Sequence, residues 1–165
     1  MKRFLIFLMA LGLTVLSIVP ALAASSDTQV VQFQILAIDE LDASGNPGML
    51  TINSATAGSS TLTPATDGST TYALTTNGTN RKITGQITSG GDMPANTNLE
   101  VQLIAPTGGS SPGYVFLTSG SAADLVTSIT QLAESGKTIT YRFSATLAAG
   151  TVSGSRTVTL TLTGS

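Results

Sequence analysis

The chain has no cysteine, no histidine and no tryptophan, and charged residues make up only 10% of its 165 positions. Each absence removes a class of function. Without histidine and cysteine there is no Ser-His-Asp or Cys-His machinery and no usual zinc site. Without cysteine there is also no disulfide, so an exported fold must hold by packing and strand pairing alone. Without tryptophan, a flat sugar-binding platform would fall to Tyr72, Tyr114 and Tyr141. Hydrolysis by paired carboxylates or a Ser-Lys arrangement remains, but the acids are scattered, mostly one per loop. They read as solvated turn and edge residues rather than as perturbed groups in a pocket. No phosphate-cradling glycine motif lies between a strand and a helix. The expectation is a non-enzymatic protein that needs no cofactor.

One long apolar run is present, and it stands at the start. Lys2 and Arg3 precede an unbroken apolar and small-residue stretch over positions 4–19, then Pro20 and Ala21-Leu22-Ala23. That order of charge, apolar core and small-x-small flank is a secretory signal, cleaved after Ala23 or Ala24. The run approaches the roughly 17-residue lower limit for spanning a bilayer. The proline and the Ala-x-Ala site favour cleavage over anchoring. The expected organisation is a signal peptide over 1–24 and one domain over 25–165, placed in the periplasm, at the cell surface or outside. No second apolar stretch follows, so the mature chain is expected to have no membrane span. Loss of Lys2 and Arg3 leaves five bases against nine acids, a net charge of −4. Phosphate binding needs clustered Lys and Arg, so nucleic acid is not an expected partner.

The mature chain of about 140 residues suits one domain with a sizeable core. Its apolar residues recur with period two. Positions 28–39 begin as a strand, with Val31, Phe33, Ile35 and Ala37 on one face and Gln32 and Gln34 on the other. Leu36 and Ile38 then place apolar residues on the second face, so both faces are buried there or a bulge shifts the phase. Positions 42–48 read as a turn, 49–53 as a short strand and 57–68 as a loop with room for a brief strand around Leu62. Positions 70–76 and 81–89 read as a hairpin about Asn77-Gly78. Leu99, Val101 and Leu103 mark a further strand, and 114–119 another. Ile139, Tyr141, Phe143, Ala145 and Leu147 alternate cleanly, which predicts a buried Phe143. Val158, Leu160 and Leu162 alternate with threonines in the last strand. Positions 121–135 are ambiguous. Leu125, Val126, Ile129 and Leu132 have helical spacing, with Ser121 and Asp124 as a capping box and Gly136 as a stop. The β-branched residues there favour a strand.

About eight short strands with Gly- and Ser-rich turns predict an all-β, antiparallel, immunoglobulin-like sandwich. An outer-membrane barrel would want aromatic girdles and an apolar outer band, which the Thr-, Ser- and Gln-rich second faces do not supply.

Two sequences stand near the ends of the mature chain. Val31-Gln32-Phe33-Gln34-Ile35 follows the cleavage site, and Thr157-Val158-Thr159-Leu160-Thr161-Leu162 runs almost to the last residue. Long terminal strands offer unpaired N–H and C=O groups to a neighbour. In this respect the chain resembles secreted bacterial β-sandwich surface proteins that build pili and matrix fibres by donating an N-terminal strand. It departs from chaperone-assembled pilins in lacking their disulfide cysteines. The resemblance implies self-association through Val31, Phe33 and Ile35. Pairing of that strand within its own sandwich is the other reading.

The other role weighed is a solitary carbohydrate- or calcium-binding module, the first resting on the three tyrosines and the second on an oxygen-rich stretch. Asp39, Glu40, Asp42, Ser44 and Asn46 cluster oxygen ligands, and Asp42-x-Ser44-x-Asn46 looks like half of a calcium loop. Pro47 stands where that pattern wants glycine, and no bidentate Glu follows, so an ordinary turn is the simpler reading. Asn77-Gly78-Thr79 is formally a glycosylation sequon, but it doubles as the hairpin signal.

Overall fold

The computed structural model describes residues 25–165; the signal-peptide reading of 1–24 lies outside the described residues. The chain divides after Gln34. Residues 25–34 form no helix or strand and are exposed throughout. From Ile35 onward the chain is an antiparallel β-sandwich of the open, immunoglobulin-like kind. Its eight strands are β1 (Asp39–Ser44), β2 (Ala65–Thr76), β3 (Arg81–Ser89), β4 (Thr97–Leu103), β5 (Val115–Phe116), β6 (Ala123–Ile129), β7 (Leu132–Ala145) and β8 (Thr157–Gly164). A five-stranded sheet has the order β1-β2-β7-β4-β5, and a three-stranded sheet the order β6-β3-β8.

Alternation places one face of each strand in a shared core. Tyr72, Leu74, Val101, Leu103 and Ile139 come from the larger sheet, and Ile83, Ile87, Leu125, Val126 and Ile129 from the smaller. The Tyr72 hydroxyl reaches through to donate to the Ile104 carbonyl at 2.7 Å. Burial pushes the Tyr72 phenol well above its ordinary pKa, because the charged form would lose its water.

Five sequence expectations change, the first being that the loop expected over 57–68 ends early, since β2 begins at Ala65. The strand expected over 28–39 is absent, and β1 begins only at Asp39, where Thr76 becomes its ladder partner. The turn expected over 42–48 starts later, since Asp42 and Ser44 pair with Ala73 and Thr71 inside β1. No strand forms over 49–53; Ala55 and Leu62 make an isolated bridge instead. The hairpin about Asn77-Gly78 is also absent, because β2 and β3 belong to different sheets. A two-residue hairpin turn of type I′ needs two consecutive left-handed residues. Only Asn80 in this link has positive φ, at 52°. The link is therefore a corner that carries the chain from one layer to the other.

The ambiguous stretch is extended, as its β-branched residues favour. Its helical look has a physical cause. Ile83 pairs with Val126 but Thr84 pairs with Asp124, so Leu125 is a bulged residue. The bulge buries Leu125 and Val126 side by side and shifts the phase, producing an i, i+1, i+4 pattern from a strand.

Candidate functional site

The sequence-selected residues Val31, Phe33 and Ile35 are exposed by 77%, 93% and 81%. None lies in a helix or strand. The backbone becomes fixed just after them. The Asn77 Nδ2 donates to the Leu36 carbonyl at 2.8 Å, and the Ile38 N–H donates to Asn77 Oδ1 at 2.9 Å. The Asn77 N–H donates back to the Ile38 carbonyl. Asp39 then accepts from the Thr76 hydroxyl at 2.6 Å and forms an ion pair with Arg81 at 2.9 Å. The Asn77 side chain is thus a clamp on the start of β1, a role its turn-forming reading did not suggest.

A groove of about 1090 Å³ opens between the two sheets. Leu41 and Ala43 of β1, Tyr141 and Phe143 of β7, and Val158 and Leu160 of β8 line it, with residues 45–52 and 149–156 as further walls. Phe143 is therefore not a core residue, contrary to its place in the alternation. It is half-buried and forms part of the groove wall. β1 and β8 are both edge strands, each paired on one side only. The Arg156 guanidinium, which stands just before β8, is occupied by the Asp92 carbonyl at 3.1 and 2.7 Å.

The outer face of the larger sheet carries a second cluster. Glu100 and Arg142 face each other across the β4–β7 ladder. The guanidinium donates to both carboxylate oxygens, at 2.7 and 2.6 Å, and lies 4.0 Å from the Tyr114 ring centre. The Glu100 hydrogen bonds push Arg142 above its ordinary pKa. Both Glu100 carboxylate oxygens are taken by Arg142 and the carboxylate is 6% exposed, so the pair braces the sheet.

Two of the oxygen-bearing side chains grouped for calcium have partners within the fold. Asp39 is held by Thr76 and Arg81, and the Ser44 hydroxyl is within 2.9 Å of the Thr71 hydroxyl. Among the described residues no group of three or more His, Cys, Asp or Glu side chains could hold a metal ion. Among them, too, no helix is long and apolar enough to cross a membrane. No family model matches the chain, and no curated protein or solved structure matches it.

Proposed function

We propose that the chain is a secreted, non-enzymatic structural or adhesive protein whose copies associate by strand addition, with Val31, Phe33 and Ile35 as the donated apolar face. The observation that carries this reading is the exposure of those three side chains in a stretch that forms no helix or strand. Leaving alternate large apolar groups in water is costly, at roughly 1.5–3 kcal/mol for each fully buried side chain forgone. Strand addition recovers that burial: backbone bonds give affinity and alternate side chains fill pockets. The partner is protein, a second copy of this chain, rather than nucleic acid. The binding-module reading is weaker because Tyr72 and Tyr141 are core residues and Tyr114 is engaged by Arg142.

Light scattering on the mature chain, with and without residues 25–35, tests the proposal. Large assemblies should vanish on deletion while the remainder keeps its melting temperature. A monodisperse full-length monomer refutes it.

A further inference from the structure

Resting on that reading, we infer that the donated segment is received by the groove between β1 and β8 of a second copy, alongside the free edge of β8. Three observations carry this.

The first is the character of the two free edges. β1 bears Asp39, Glu40 and Asp42, charges of the kind that keep an edge from pairing. β8, Thr157-Val158-Thr159-Leu160-Thr161-Leu162-Thr163-Gly164, bears none, and the neighbouring Arg156 is tied to Asp92. Positions 28–36 are likewise uncharged, so edge and segment match.

The second is the fit of side chains. Val158 and Leu160 of β8 are only partly buried, and they share the groove wall with Tyr141 and Phe143. A strand laid beside β8 with Val31, Phe33 and Ile35 turned inward would cover these groups, while Gln32 and Gln34 turn to solvent beside the outer threonines. Six extended residues span roughly 20 Å, enough to follow most of an eight-residue strand.

The third decides between a second copy and the chain's own groove. Asp39 is bound to Arg81, and Arg81 pairs with Gly164, so β1 starts where β8 ends. The Asn77 clamp fixes Leu36 and Ile38 at that end. The groove opens at the other end, along Leu41 to Ser44 and Thr157 to Leu160. To enter its own groove the segment would have to reverse direction, yet positions 25–44 contain no glycine or proline to build the turn.

The test uses the absence of native cysteine. Gln34→Cys and Thr159→Cys chains, each otherwise mature and full length, are mixed and treated with a short bismaleimide. Linked pairs should form in the mixture, and not when Thr159→Cys is replaced by Ser121→Cys on the loop before β6. Ala43→Trp fills the groove from an exposed position and should abolish assembly with an unchanged melting temperature. If assemblies still depend on residues 25–35 but no pairs link and Ala43→Trp assembles normally, the groove is wrong while strand donation stands. If the full mature chain forms no assemblies, strand donation itself fails. A Gln34→Cys/Thr159→Cys double variant that links within one chain at high dilution overturns the second copy as the occupant.

Discussion

Arg142→Ala is the sharpest probe of what holds the larger sheet. The Glu100 side chain is 6% exposed and the Arg142 side chain 33%. Truncating Arg142 strands a carboxylate beneath the sheet surface with both of its bonds gone. Breaking a buried pair costs roughly 3–5 kcal/mol, and the one-third exposure of Arg142 lowers this to about 2–3 because water can reach the site. Loss of the contact with Tyr114 adds about 0.5–1 kcal/mol. The expected loss is therefore about 3 kcal/mol, or a fall of roughly 6–12 °C in melting temperature for a domain of this size. Arg142→Lys should fall between, since a lysine cannot make the paired bonds to both carboxylate oxygens. A Glu100→Gln/Arg142→Met chain removes both charges while keeping bulk, and should return to within about 1 kcal/mol of the parent. Urea unfolding followed by far-ultraviolet circular dichroism measures all three. If Arg142→Ala changes stability by less than about 0.5 kcal/mol, as an ordinary surface substitution does, the pair is not the brace described above.

Gly85→Ala should destabilise by about 1–3 kcal/mol in the same urea assay, because its Cβ would meet Leu125 Cδ1 at 2.6 Å and Leu117 Cδ2 at 3.3 Å in a filled core. Ile139→Ala, at a position 1% exposed, should cost roughly 2–5 kcal/mol, whereas Phe143→Ala at the groove wall should cost the isolated sandwich only about 1 kcal/mol. Equal losses would place Phe143 back in the core. Asp67, Asp92 and Glu134 all have lowered pKa values, owing chiefly to the Ser69 side chain, the Ser119 N–H and the Lys137 ammonium respectively. The unfolded chain then binds more protons in acid, so stability present above the ordinary values of 3.8 and 4.5 should be lost as pH falls below them. Tyr72 and Tyr141 are raised by burial, so an alkaline loss should begin as pH rises past the ordinary 10.0, seen as delayed phenolate absorbance in the folded chain.

Most of the fold was legible because nearly every strand from β2 onward presents one apolar face to one core. Leu99, Val101 and Leu103 or Ile139 and Tyr141 need no partner to be recognised, since period two alone marks the buried side. What alternation does not encode is which strand lies beside which. The link at 77–80 illustrates this: Asn-Gly fits a tight turn, yet two apolar faces can be buried across layers as well as within one, and the backbone took the corner. Glu100 and Arg142 were invisible for the same reason. Each reads as a solvent-facing polar residue on its own strand, and only the β4–β7 register brings them opposite each other.

The candidate site divides along a similar line. The proposed donating half rests on a pattern visible in the sequence, since Val31, Phe33 and Ile35 alternate whether or not a ladder forms, although the strand that pattern suggested over 28–39 does not form. The proposed receiving half does not. The groove is lined from β1, β7 and β8 and from two connecting segments, and which strands come together there is a property of pairing order rather than of any one segment. Phe143 belongs to the same regular series as Ile139 and Tyr141, yet it is only half-buried and lines the groove. Under the strand-addition proposal, a residue with a core pattern and a groove position is what the receiving surface requires. In the assembled state Phe143→Ala should therefore weaken association more than it weakens the isolated sandwich. An equal effect on both would mean that the incoming strand passes elsewhere.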